Sequence, residues 1–553
     1  MLLNLVVYGT ASLLWTSEMA GGFPLNGGVS AASKSGNLKH STGIYLQNAL
    51  RPTGNKRFVY LVIHVPYLAS FNMASESNSA ARVQQFANKP RVFILSDISN
   101  EPDDAESLVR YLTYANQFIT EGLVPTTSIW LQDKTCPEDM HRIVDGYAAA
   151  VANLNAHVHP QHQYPPADDI RNLIRPGAPV YGMAAVGDDI PLSEGGKLLK
   201  QRVEASKDLN EPLWVLCWGG TNVLAQVLYK IRQEYDAPTA ATLRSKIRVY
   251  AISDQDDTSA WIRTNFPDLF YISSIHAWNQ YGLATWAGIS GEMHYHFDQG
   301  GPDGRTISKD WVEENIQIGP LGGTYPDPEF VFEGDTPTFL YLIQNGLGSR
   351  EHPHFGSWGG RYAKTDPSDY VNHYGDASDR VQGLDGRLYK SNQATIWRWR
   401  ESFQNDFAAR IQWSMTGDFS KVNHHPVVAL GQDFGTTPLE VEVEAGKSII
   451  LDASQSYDPD GDELTFRWFQ YEEPSVSIWS AHKWTAKVEI KSLNEQGSKV
   501  EVQTPAADVS CVEFKTWKPL ERGQLLHVIL EVKDNGLPQL TAYRRILIQT
   551  TRG

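Results

Sequence analysis

Between Pro90 and Ile275 the chain carries six short apolar runs rich in β-branched and aromatic residues: RVFILSD, LVPTTSIWL, APVYGMAAVG, PLWVLCWGG, IRVYAISD and LFYISSI. None alternates with polar residues, so strands built from them must be buried on both faces. The stretches between them read as helices. In Ala105–Phe118, for example, Leu108, Leu112 and Ala115 recur on one face. Buried strands alternating with helices predict an α/β domain with a doubly wound, mostly parallel sheet. Residues 290–423, rich in Gly, Pro and aromatics, complete it, with helices expected over Thr338–Ile343 and Gln393–Phe407.

Each run ends in polar or glycine residues: Asp97, Thr127, Gly187-Asp188-Asp189, Gly219-Gly220-Thr221, Asp254 and His276. Ligands of open α/β sheets bind outside the carboxyl ends of the strands, so these groups are expected to converge on one rim. From about His424 the pattern changes to alternating strands such as LEVEVEAGKSIILDAS and LLHVILEVKD. Residues 424–553 therefore read as an Ig-like antiparallel β-sandwich, expected to fold by itself, and 89–423 as the α/β domain. Residues 1–88 hold two apolar runs, MLLNLVVYGTASLLW and KRFVYLVIHVPYLASFNMAS, each too short to span a bilayer. They read as targeting or poorly ordered sequence, and predict a secreted protein.

A formal charge of -16 without a basic run excludes nucleic acid as a partner. Three scattered cysteines, Cys136, Cys217 and Cys511, exclude a disulfide scaffold and a thiolate zinc site. The 16 Trp and 24 Tyr leave sugar rings as reasonable ligands.

The stretch ILSDISNEPDDAESLVRYL places Asp97, Glu101, Asp103 and Asp104 within eight residues. Acids in a first helical turn favour the helix dipole, and Asn100 is a natural cap, which accounts for Asp103 and Asp104. Asp97, on the preceding strand, is left uncompensated. Thr221 and Asp335 stand at two further helix starts, and oxygen ligands gathered from separate loops suit Ca²⁺.

The frame Asp97 to Asp104 resembles the nucleoside hydrolase signature D-x-D-P-G-x-D-D, with GGTN and GDTP resembling that family's later turns. The phrases DISNEPDDAESLVRYL, SDQDDTSAWIR, EGDTPTFLYLIQNGLG and EHPHFGSWGGRY are more similar to a branch described as cellulose-binding, which ends in a β-sandwich. The resemblance spans about residues 90–553. It implies Asp104 as the main carboxylate ligand of Ca²⁺, with Asp97, the Thr221 carbonyl and Asp335 completing the site and Asp103 accepting a sugar hydroxyl. Ser99 stands where the hydrolases carry the aspartate that activates water, so Asp97 or Glu101 is the candidate base. Asp254, Asn279 and Trp358, the last beside Arg361, are expected to border the substrate. His352 and His354 have zinc-like spacing but no third ligand. Asp458, Asp460 and Asp462 resemble a turn of cadherin-like modules, and a tight Asp/Gly turn, which explains them without a metal, is the preferred reading over a cation site.

Two functions follow. One is a secreted Ca²⁺-dependent hydrolase of N-glycosyl or glycosidic bonds, acting on a carbohydrate or nucleoside-like molecule. The other is a non-catalytic binder of cellulose or another polysaccharide.

Overall fold

The computed structural model describes residues 79–277, 280–475 and 485–553, together with three short strands, Leu5–Tyr8, Ser12–Trp15 and Leu61–Val62. Those strands pair as an antiparallel sheet within a first unit, residues 1–76. Most of the stretch read as targeting sequence lies outside the described residues. All that follows concerns the second unit, which begins at residue 77.

Five parallel strands form the heart of its sheet: β1 (Arg91–Ser96), β2 (Ile119–Pro125), β3 (Leu213–Cys217), β4 (Ile247–Ala251) and β5 (Phe270–Ser273). Two short strands extend it, β6 (Tyr362–Lys364) and β7 (His373–Asp376). The order is β2-β1-β3-β4-β5-β7-β6, with β6 antiparallel to β7. Successive side chains of β1 enter opposite cores. Val92 and Ile94 join one, while Phe93 and Leu95 join the other. The order 2-1-3 makes the gap between β1 and β3 the topological switch point, the crevice where such sheets take ligands.

Five of the six apolar runs supply these parallel strands. APVYGMAAVG does not. Pro179 offers no N–H to a neighbour, Gly182 takes a left-handed φ of 53°, and Gly182–Ala185 closes as a single 3₁₀ turn. The helix after β1, α1 (Asp103–Thr113), is buried along its whole length from Asp104. It packs between the sheet and the helix Arg400–Met415. The helix forecast over Thr338–Ile343 is a single turn, Pro337–Leu340, and Gln393–Phe407 divides into Ala394–Trp397 and the start of Arg400–Met415.

The C-terminal sandwich has sheets of four and three strands. Its ladders are antiparallel except one: Leu439–Glu444 enters beside the final strand Thr541–Thr551 and runs parallel to it. One face of the four-stranded sheet is shared with the α/β domain. Tyr471, Ile529 and Tyr543 belong to the same core cluster as α1 and Trp358. Arg545, wholly buried, donates to the Leu347 carbonyl (2.7 Å) and the Phe355 carbonyl (2.9 Å). Tyr543 N–H donates to the Asn345 carbonyl (2.9 Å).

Contacts of this kind tie the sandwich to its neighbour more closely than a linked, self-standing module. Trp358 is the largest apolar piece of the seam, 1% exposed and packed edge-on against Tyr543 and Phe403. Trp358→Ala is expected to cost about 3–5 kcal/mol. It should lower one unfolding transition reported alike by near-ultraviolet dichroism and by proteolysis of the sandwich. Two separate transitions, with the sandwich unaffected, would contradict the shared core.

Candidate functional site

At the carboxyl end of β1 the chain turns sharply before α1. Ser99 has a φ of 79°, a left-handed value uncommon for a serine, and its hydroxyl bonds to Asp139 on the helix Pro137–Leu154. The position occupied in hydrolases by the water-activating aspartate thus carries an exposed side chain tied to Asp139. Asp97 and Asp104 are buried and Asp103 half-buried; Glu101 is exposed.

Asp103, Asp104 and Asp335 each offer a carboxylate oxygen, and these oxygens lie within 4.8 Å of one another. Asp335 is 1% exposed, and both of its carboxylate oxygens are buried without a hydrogen-bond partner. Asp104 accepts from the Ser96 hydroxyl and shares a hydrogen bond with Asp97, which also accepts from Ser128. The approach is close. A Cβ on Gly219 would come 2.5 Å from Asp97 Oδ1, and one on Gly334 would come 2.9 Å from Asp103 Oδ2.

Burial and mutual repulsion shift every member in one direction. Desolvation raises Asp97 to about 6, against a bond from Ser128 that lowers it. Desolvation, then the charges of Glu101 and Asp97, raise Asp103 to about 8. Asp104 and Asp335 stand well above the usual carboxylate range, first from desolvation, then from the charges of Asp97 and Asp103 on Asp104 and of Asp104, Asp103 and Asp97 on Asp335. The unpartnered Asp335 oxygens and the all-oxygen donor set fit a hard divalent cation such as Ca²⁺, held by Asp103, Asp104 and Asp335.

A second layer holds the first in place. Arg110 on α1 forks onto Glu333 (2.6 and 3.0 Å), and Glu333 N–H donates to Glu106 Oε2 (2.8 Å). That bond secures the loop at Glu333, whose φ is 58°. The Asp335 carbonyl accepts from Thr338 Oγ1, which in turn accepts from Trp218 Nε1 (both 2.8 Å). Glu106 and Glu333 carry no motif signal. Glu106 and Arg110 look like an ordinary surface i,i+4 pair until the burial of α1 is known.

An aromatic wall stands over the acids. Trp286 abuts Gly334 and lies 5.9 Å from Tyr281 and 6.4 Å from Tyr295, ring to ring. Tyr281 continues to the half-exposed Trp130 (6.4 Å) and to His276 (5.0 Å). Burial pushes the pKa values of both tyrosines up, and nearby charge adds to it, from Glu101 and Asp97 on Tyr281 and from Glu101 and Asp103 on Tyr295, which places the two rings beside the acids.

The other expected residues have the following surroundings. Both oxygens of Asp254 accept from the forked guanidinium of Arg263 (2.6 Å for one), and its side chain stays partly exposed. Trp358 fills the seam with the sandwich rather than a cleft, because its ring is enclosed by Phe403 and Tyr543. Arg361 likewise pairs with buried Asp379 (2.7 Å). Thr221 turns its hydroxyl to Asp256, Thr258 and Ser259, while its carbonyl accepts the Ala225 N–H (2.9 Å). It therefore contributes to the helix start, and the acids gather without its side chain. Asn279 lies outside the described residues. His352 and His354 pack on Phe355, and burial lowers His354 to about 4.

Residues 91–362 match the family model described as cellulose-binding Sde182, nucleoside hydrolase-like domain, and residues 448–550 match cellulose-binding protein Sde0182, C-terminal domain. A solved structure from Saccharophagus degradans is similar over 84% of this chain and 100% of its own, at 30% identity and a TM-score of 0.66. It is described as a nucleoside hydrolase-related hypothetical protein associated with carbohydrate metabolism. The chain belongs to this family of cellulose-binding, nucleoside-hydrolase-like proteins. A fragment of human CDH23, EC21–23, aligns with 23% of this chain and 33% of its own at 14% identity and a TM-score of 0.14. No curated protein matches.

The shifts fix a sign. A carboxyl whose folded pKa is raised stabilises the fold while protonated, and that contribution is lost as pH climbs through the folded value. In chelated protein the melting temperature should therefore fall between pH 3.8 and about 8. Ca²⁺ should restore it most at the upper end, by about 2.7 kcal/mol at a hundredfold excess over its dissociation constant. Asp335→Asn should shrink both the fall and the response; a Ca²⁺ response undiminished in that variant would remove the assignment.

Proposed function

We propose that the chain is a Ca²⁺-dependent hydrolase of glycosyl bonds, acting on a sugar-bearing molecule seated between the acids and the aromatic wall. The observation that carries this reading is Asp335, whose two buried oxygens lack partners beside Asp103 and Asp104. A bound cation there would supply positive charge for sugar hydroxyls and for a water. Glu101, exposed at the mouth and close enough to raise Asp97, Asp103 and Asp335, is the group best placed to accept a proton from that water. Asp97 is deeper and shares its hydrogen bond with Asp104, so it serves to hold Asp104 or a proton in place. Asp103, half-buried, can accept a hydrogen bond from a sugar hydroxyl, and Trp286, Tyr281 and Tyr295 offer faces for its ring. Positive charge developing on the sugar at cleavage would be met by the surrounding carboxylates. A secreted location is part of this proposal, carried by the two apolar runs before residue 76.

A second reading is favoured by one observation. Ser99 is directed at Asp139, so the base of the hydrolase signature is missing from its usual place. A cleft with cation and aromatics but no base would bind cellulose or another polysaccharide without cutting it.

Nucleosides, aryl glycosides and plant polysaccharides, each assayed with Ca²⁺ and with chelator, separate the two. Release of sugar only with Ca²⁺ is expected. Glu101→Gln should lower kcat about 10²–10⁴-fold, whereas Ser99→Ala should leave it essentially intact. Retention on insoluble cellulose with no product from any substrate would establish the binder instead.

A further inference from the structure

The turn after Tyr457 in the sandwich carries Asp458, Asp460 and Asp462, and a tight Asp/Gly turn alone would explain their spacing. The structure adds an atom that such a turn does not use. Asp458 is 4% exposed, and its Oδ1 accepts the N–H groups of Asp460 (2.8 Å), Gly461 (3.1 Å) and Asp462 (3.3 Å). That oxygen closes the turn. The other, Oδ2, is buried with no hydrogen-bond partner. The three aspartates each offer an oxygen, all within 4.8 Å of one another.

The surrounding groups do not supply the missing charge. Asp534 lies behind, adding repulsion, with Oδ1 bound to the N–H groups of Leu540 (2.9 Å) and Gly536 (3.1 Å) and Oδ2 to Asn423 Nδ2 (3.1 Å). His424 gives its N–H to Asp460 (2.8 Å) and sets Nδ1 3.0 Å from it, but burial lowers its pKa and favours the neutral ring. Arg82 reaches the turn through the carbonyls of Asp458 (3.3 Å) and Pro459 (3.4 Å). Burial, then Asp460 and Asp534, push Asp458 up to about 6 against its backbone bonds, in keeping with a carboxylate short of positive charge.

We propose that Asp458 Oδ2, Asp460 and Asp462 hold a second hard divalent cation of the Ca²⁺ class, in the sandwich and independent of the rim. Three carboxylates with water completing the shell suit such an ion. The site sits where Asn423 and His424 lead the chain from the α/β domain into the sandwich. An ion there fixes Asp460, and through it the backbone of the connecting segment.

The test uses the full chain, stripped with chelator and titrated with Ca²⁺ by calorimetry near neutral pH. Asp335→Asn serves as the background that isolates the sandwich site. One binding event should remain in it. Adding Asp462→Asn, which leaves the three Oδ1 bonds of Asp458 intact, should weaken that event at least tenfold, and adding Asp460→Asn should do the same. An event unchanged by both substitutions, or no event at all in the Asp335→Asn background, would overturn the proposal. Because the readout follows Asp460 and Asp462, it stands or falls separately from the rim site.

Discussion

A carboxylate enclosed as deeply as Asp335 persists only if a proton or a positive charge meets it. The chain's own arginines do not. Arg110, on the helix that begins with Asp103 and Asp104, is spent on Glu333, and a second acid, Glu106, leans on the same network. The inner layer thus holds two carboxylates against one guanidinium and has nothing to lend outward. Asp97, Asp103, Asp104 and Asp335 must share protons, as their raised pKa values describe, or share an ion. Glycines at 219 and 334 let the strand ends and the loop close on that point.

The switch point puts the acids at the rim, but the loops above it need a base that does not move. The sandwich supplies part of it. Arg545 holds the carbonyls of Leu347 and Phe355, and Tyr471 donates to Asp379, which also binds Arg361 and Arg398. Five aromatic or charged groups from the sandwich side and the loop side therefore meet in one largely buried seam. Among the described residues no helix is long and apolar enough to cross a membrane.

The buried sheet was legible because strands covered on both faces leave uninterrupted apolar runs. APVYGMAAVG looks the same by composition, yet its proline and glycine turn it aside, a choice of backbone rather than of hydrophobicity. The acids at 97, 103, 104 and 335 were legible because each ends a strand or begins a helix. Asp254 shares that position, but Arg263, on the helix that directly follows, pairs with it, a local contact that depends on how the turn between them is shaped. Trp358, expected to border a cleft, lies in the domain seam for a related reason. An aromatic between glycines suits a cleft edge or a domain seam equally well, and only the arrival of Tyr543 from the far end of the chain decides. The wall of Trp130, Tyr281, Trp286 and Tyr295 has no sequence period at all, since its members meet through loops.

That last feature divides the site into two kinds of material. The acids are fixed by strand ends, helix starts and a buried ion-pair network, where a small displacement would propagate into the core. The rings belong to connecting segments, where Tyr281–Leu283 and Thr285–Ile289 are single 3₁₀ turns. Tyr281–Leu283 has no buried residue, and a partly exposed segment of that sort accepts reshaping without unfolding what it covers, whereas Thr285–Ile289 is buried throughout and holds Trp286 to the core. On the proposed function, the acids and the partly exposed Tyr281 stand on separate scaffolding, so reshaping the loop at Tyr281 would alter which sugar fits without moving the carboxylates.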